Sequence, residues 1–180
     1  MKRLETAFTD VWLIEPRIFR DARGESFEAW NRRRFAELGL AADFVQDNHS
    51  RSARNTLRGL HYQLDPPQGK LVRVISGEIF DVVVDLRRSS PSFGRWLGVS
   101  LTAEQSRLLW IPPGFAHGFC VLSESAVVLY KVTAYWSPAS ERCLAWNDPR
   151  LAITWPLDGP PILSARDAAG LPFARCETFP

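Results

Sequence analysis

Short apolar or alternating segments recur along the whole chain and are cut off by clusters of Gly, Pro, Asn and Ser, with Pro returning too often for long helices. That punctuation predicts strands at 10–14, 26–29, 71–75, 78–86, 96–101, 107–111, 118–122 and 127–136. In the fourth of these, Phe80, Val82, Val84 and Leu86 share one face, while Asp81 and Asp85 alternate with Ile79 and Val83 on the other. One side of that strand is strictly apolar. A helix is predicted at 31–38, where Phe35 and Leu38 form an i, i+3 apolar pair and Gly39 can follow the helix in a left-handed conformation. A second, smaller helix is predicted at 164–169, inside the Pro-rich tail that begins at Asp148. Many short strands and few helices define an all-β chain: a sandwich, a jelly roll or a small barrel, architectures that limit exposed edges and can enclose a ligand cavity.

The 180 residues suit one domain spanning 1–180 around one core, and 7 Trp with 11 Phe supply the aromatic bulk for it. With 46% apolar and 23% charged residues, intrinsic disorder is excluded. Cys120, Cys143 and Cys176 are odd in number, widely spaced and without a CxxC pair, which argues against a disulfide framework or a structural zinc site and for three reduced structural thiols. The first eight residues carry no apolar leader, and the longest apolar run, 126–130, is far short of a membrane span, so a soluble cytoplasmic protein with no membrane partner is expected. A net charge of +2 gives no global field for gripping nucleic acid. Any anion must be bound locally. Of the 22 basic residues only Lys2, Lys70 and Lys131 are lysines, and the two internal ones stand out against so many arginines.

Catalytic candidates are few. The only histidines are His49, His61 and His117. His61 is followed two residues on by Gln63, so two imidazoles do not share one strand face and a metal enzyme is disfavoured, although the three histidines and a carboxylate could still converge in space. No GxSxG elbow marks a nucleophilic serine, and neither GxGxxG nor GxxxxGK[ST] marks a phosphate loop. What remains is acid and base work by His, Tyr and Asp, with Lys or Arg holding anionic charge, a set suited to proton abstraction next to a carbonyl.

Several blocks, read together, resemble one family. Segments 19–28 (Phe-Arg-Asp-Ala-Arg-Gly-Glu-Ser-Phe-Glu), 46–50 (Gln-Asp-Asn-His-Ser) and 57–63 (Leu-Arg-Gly-Leu-His-Tyr-Gln) are similar to the dTDP-4-dehydrorhamnose 3,5-epimerases. Segments 68–74, 90–94, 111–119, 130–131, 146–149 and 163–167 follow in family order, so the resemblance spans nearly the whole chain. It implies a cupin-like jelly roll, with 112–117 as the second cupin motif, and a reaction without metal or cofactor. The implied substrate is a dTDP-4-keto-6-deoxyhexose inverted at C3 and C5 on the route to dTDP-L-rhamnose.

The same resemblance implies roles. His61 is the base, Asp167 orients its imidazole, Lys70 lies near the enolate oxygen and Tyr130 returns a proton on the opposite face. Lys131, its neighbour on the strand, points the other way and is left structural. Arg23 and Arg58 are implied as diphosphate contacts, Glu28, Gln46 and Asn48 as residues around the nucleotide, and Tyr135 as an aromatic near the base. His117, Glu141 and Arg166 are implied as further pocket positions. Shared contacts in the family imply a homodimer. Ser26, Trp136 and Arg166 depart from the family pattern, which bears on nucleotide contacts more than on turnover. Three other readings stay open: a mono-epimerase acting at C3 or C5 alone, a metal-dependent cupin enzyme, and a catalytically silent sugar-nucleotide binding module.

Overall fold

The computed structural model describes residues 1–180 and is built almost entirely from antiparallel strands. In chain order these are β1 (Lys2–Leu4), β2 (Trp12–Glu15), β3 (Ile18–Asp21), β4 (Gly24–Phe27), β5 (Gln46–Ala53), β6 (Leu57–Gln63), β7 (Lys70–Ser76), β8 (Glu78–Asp85), β9 (Trp96–Thr102), β10 (Leu108–Ile111), β11 (Phe115–Val121), β12 (Ser125–Val132) and β13 (Glu141–Cys143). Two short helices, α1 (Arg32–Glu37) and α2 (Ala165–Ala168), complete the set with one 3-10 turn. A six-stranded sheet runs β1-β2-β10-β7-β12-β5, and a five-stranded sheet runs β13-β6-β11-β8-β9. The β3–β4 hairpin forms a separate two-stranded sheet. This is the cupin-like β sandwich expected from the sequence.

Three apolar clusters hold the layers together. Between the sheets, Val72, Val74, Leu109, Ile111, Ala126 and Val128 of one meet Ile79, Val83, Leu101, Phe115, Phe119 and Val121 of the other. The strictly apolar face of β8 does not point there. Val82, Val84 and Leu86 instead pack outward with Leu60, Tyr62 and Ala116 under the C-terminal segment, beside Leu144, Leu151 and Cys176. Asp81 and Asp85 therefore sit on the inner face of β8, both 0% exposed. The outer face of the larger sheet is covered by the α1 region, where Phe35 and Leu40 pack on Ile14, Leu71, Leu108 and Trp110. Asn31 caps α1 by accepting from the Arg34 N–H, and Gly39 follows at φ 96°, the left-handed geometry anticipated for it.

The boundaries differ from the sequence reading in instructive places. The strand predicted at 127–136 ends at Val132, so Tyr135 and Trp136 lie on the loop beyond it, and that predicted at 26–29 moves to Gly24–Phe27. Strands β5 and β6 were not anticipated. In β5 the residues Gln46, Asn48, Ser50 and Ser52 turn inward while Asp47, His49, Arg51 and Ala53 are exposed, so a two-residue period of burial runs through a segment with no apolar alternation. Strand β6 is hidden by a bulge: His117 pairs with His61 but Phe119 pairs with Arg58, giving β6 one extra residue at Gly59–Leu60. Gly59 (φ 118°) and Gly118 make this possible, since a Cβ on Gly59 would lie 2.6 Å from Gly118 Cα. The bulge reverses side-chain parity. Arg58 and His61, three residues apart, both face the space between the sheets.

Candidate active site

At one end of the sandwich the interior is polar. A cavity of about 400 Å³ is lined from the larger sheet by Gln46, Asn48, Ser50, Lys70 and Tyr130, and from the smaller by Arg58, His61, His117, Phe119 and Glu141. Trp136, Ser164, Arg166 and the buried Asp167 complete its lining. The sandwich thus places His61 and Tyr130 on opposite walls.

His61 Nε2 donates to Asp167 Oδ1 at 2.6 Å. Asp167 is 4% exposed and firmly held: Ser164, the N-cap of α2, donates its hydroxyl to Oδ2 at 2.7 Å and accepts from the Asp167 N–H at 3.1 Å, and Gly59 N donates to Oδ1 at 3.3 Å. Burial opposes the charge on this carboxylate, but the hydrogen bonds from His61, Ser164 and Gly59 together hold its pKa below the ordinary value. An ionised Asp167 only accepts, so the imidazole proton sits on Nε2 and Nδ1 keeps a free lone pair.

Lys70 reaches across from β7 to donate to the His61 carbonyl at 3.3 Å, tying the two walls together. Burial lowers its pKa to about 8, against the negative charges of Glu141 and Asp81, which raise it. Beneath the cavity His117 Nε2 donates to Asp81 Oδ2 at 2.9 Å, while Asp81 Oδ1 is buried without a hydrogen-bond partner. Burial raises the Asp81 pKa, and His117 and Lys70 pull it back down. Burial, then Glu141, raises the pKa of Tyr130, so its phenol keeps its proton at neutral pH.

The remaining candidates divide into those the fold brings together and those it does not. Arg58 is steadied by Nε donating to Ser52 Oγ at 2.9 Å. Gln46 donates to Asn48 at 2.9 Å and accepts from the Trp136 N–H at 3.1 Å, holding the rim loop. Glu141 Oε2 accepts from Trp136 Nε1 at 2.5 Å and from Arg166 at 2.6 Å. Gln63, where a second imidazole would be needed for a metal pair, is buried and bonded to the backbone of Pro66, Tyr135 and Ser137. Lys131 points outward to Asp47 at 2.9 Å.

Three residues stand outside the cavity of this chain. Arg23, on the β3–β4 turn, pairs with Asp21, and Glu28 pairs with Arg34. Tyr135 is 69% exposed, and Trp136 lines the rim in its stead. The sequence reading left Asp81 without a role, although an acid set among Ile79, Val82, Val83 and Val84 was its signal. Cys143, one of the three reduced structural thiols expected from the sequence, is half-buried with its Sγ 4.0 Å from Asp167 Oδ1.

Comparison with known proteins places this geometry. The family model described as dTDP-4-dehydrorhamnose 3,5-epimerase matches residues 5–175. A dTDP-4-dehydrorhamnose 3,5-epimerase of Pseudomonas aeruginosa is 58% identical over the full length of both chains. The crystal structure of the dTDP-6-deoxy-D-glucose-3,5-epimerase of Legionella pneumophila, in complex with dTDP-4-keto-L-rhamnose, superposes with a TM-score of 0.95 at 48% identity, covering 98% of this chain and 94% of that one. A Bacillus anthracis dTDP-4-dehydrorhamnose 3,5-epimerase with TDP and pyrophosphate bound gives a TM-score of 0.92 at 47% identity, covering 95% and 98%. Fold and site define a cupin-like isomerase of sugar nucleotides. The chain belongs to the dTDP-4-dehydrorhamnose 3,5-epimerase family. No helix in it is long and apolar enough to cross a membrane.

Proposed function

We propose that the chain, acting as one domain over residues 1–180, inverts dTDP-4-dehydro-6-deoxy-D-glucose at C3 and C5 to give dTDP-4-dehydro-L-rhamnose, with His61 as base and Tyr130 as acid. The observation that carries this reading is the placement of these two side chains on opposite walls of one cavity that Lys70 also lines, from the Tyr130 side. Hydrogens at C3 and C5 both flank the C4 ketone. Nδ1 of His61 takes one of them, Asp167 stabilises the imidazolium, and the electron pair of the broken C–H bond moves onto the ketone oxygen. The Lys70 ammonium stabilises that enolate, an effect worth about 3–4 kcal/mol for a well-placed donor in a water-poor site. Tyr130 then delivers a proton to the opposite face of the same carbon. Once the His61 imidazolium has passed its proton to solvent and the Tyr130 phenolate has regained one from it, repetition at the second carbon completes the reaction.

Arg58, steadied by Ser52, suits a diphosphate through its guanidinium fork, and Gln46, Asn48, His117, Glu141 and Arg166 orient the remaining substrate. Arg23, Glu28 and Tyr135, which lie outside the cavity of their own chain, serve the cavity of a second copy in a cytoplasmic homodimer. The test is turnover of the 4-keto sugar nucleotide in heavy water, read by proton NMR. Deuterium at both C3 and C5 of the product is expected. Label at one carbon alone would overturn the assignment in favour of a mono-epimerase.

A further inference from the structure

Cys143 stands beside the proposed catalytic pair without a part in the chemistry. Pairing of β13 on β6 sets it opposite His61, and its Sγ lies 4.0 Å from the same Asp167 oxygen that His61 reaches at 2.6 Å. One donor atom from each of the three falls within 4.8 Å of the other two. Imidazole, thiolate and carboxylate are the donors that zinc and its softer congeners take. We infer that His61, Cys143 and Asp167 form a site for a soft divalent cation such as Cd²⁺ or Zn²⁺, and that an ion held there takes His61 out of proton transfer; the second half rests on the reading of His61 as base.

The fit requires little movement. Metal–donor bonds of about 2.0–2.3 Å around a tetrahedral ion put donor atoms roughly 3.3–3.7 Å apart. The Cys143–Asp167 separation has to close by a few tenths of an ångström, and the His61–Asp167 contact has to open by about 1 Å, both within reach of small side-chain rotations. Asp167 stays anchored throughout by Ser164, and Cys143 by the strand ladder. Glu141, two residues before Cys143 on the same strand, adds negative charge, which Arg166 partly offsets and which Lys70 faces from the other wall. The fourth position is left for water.

His61 gives the ion its way in, because it lines the cavity and its side chain is 27% exposed, whereas Cys143 stands behind it. On binding, the ring's single proton shifts from Nε2 to Nδ1 by exchange with solvent, the ion takes the lone pair freed on Nε2, and the Cys143 thiol proton leaves to solvent. An imidazole protonated on Nδ1 and metallated on Nε2 has no lone pair with which to accept a proton from carbon. Cys120 and Cys176 are buried and stand in no such cluster.

The experiment is a titration of the purified protein and of Cys143→Ser and Cys143→Ala with Cd²⁺, following both the ultraviolet thiolate-to-cadmium charge-transfer band and epimerase turnover. For the unsubstituted protein, one equivalent should raise the band while turnover falls in step, and a chelator should reverse both. Both variants should turn over normally without cadmium, show no band and need about tenfold more cadmium, or still more, for the same inhibition. A band of equal intensity in the variants, or equal inhibition with and without the thiol, would overturn the site. Cadmium bound through Cys143 with turnover intact would leave the cation site standing and remove His61 from the role of base.

Discussion

Tyr130 and His61 enter one cavity from opposite sheets of the sandwich, Tyr130 from β12 and His61 from β6. On the proposed mechanism a flat enolate held between them would meet an imidazole on one face and a phenol on the other, the arrangement that inversion at carbon requires. Tyr130→Phe removes only the hydroxyl from an aromatic packed against the inner core. Turnover to inverted product should fall by about 10²–10⁴, the usual contribution of a positioned acid. Exchange of substrate hydrogen with heavy water by His61 should outlast product formation, and NMR of the recovered substrate checks this.

Asp81 bears on the proposed reaction through its neighbours His117 and Lys70. On the proposed mechanism the Lys70 ammonium stabilises the enolate only while protonated, so turnover should fall as pH rises through about 8. Asp81 and Glu141 both oppose the effect of burial on Lys70, and Glu141 remains when Asp81 is replaced. Asp81→Asn should therefore move the alkaline limb of the kcat profile to lower pH, with little change in KM. An unmoved limb would show that Asp81 does not support the Lys70 charge.

Most of the architecture was legible because apolar strands announce themselves. Strand β12 carries Ala126, Val128 and Val132 on its inner face, and the Val-rich β8 is equally plain. What was hidden lies around the cavity. Strand β5 puts Gln, Asn and Ser inward because its inner face meets the polar cavity and not a hydrophobic layer, so the usual alternation has nothing to report. In β6 the bulge at Gly59 breaks the two-residue period and brings Arg58 and His61 to one side. The His61–Asp167 pairing joins residues 106 positions apart and was available only through family resemblance. Chain folding, not local pattern, supplies it.

Asp85 tests the fold apart from the chemistry. It is fully buried, with Arg87 donating from its guanidinium at 2.7 Å and Ser90 and Ser92 from their hydroxyls at 2.6 and 2.7 Å. Burial opposes its charge, but these donors prevail and lower its pKa. A lowered folded pKa means stability present at neutral pH and lost as pH falls through and below the ordinary carboxylate range. Asp85→Asn should cost about 3 kcal/mol at neutral pH. In urea melts at descending pH the gap between variant and parent should narrow, and a gap independent of pH would contradict the assignment.

Shared sites predict complementation. If Arg23 serves the partner's cavity, Arg23→Ala and His61→Asn chains, each poorly active alone, should regain turnover when refolded together, since each mixed dimer holds one cavity with both residues intact. Assay of the mixture against its separate components checks this. No gain over the sum of the components would place Arg23 with its own chain or outside the reaction.

The most direct measurement concerns the first proton. His61→Asn keeps a hydrogen-bonding side chain beside Asp167 but cannot accept a proton from carbon. Incubated with the 4-keto sugar nucleotide in heavy water, this variant should incorporate deuterium at neither C3 nor C5, while dTDP binding measured by calorimetry stays near that of the parent. Incorporation at either carbon at the parental rate would contradict the account.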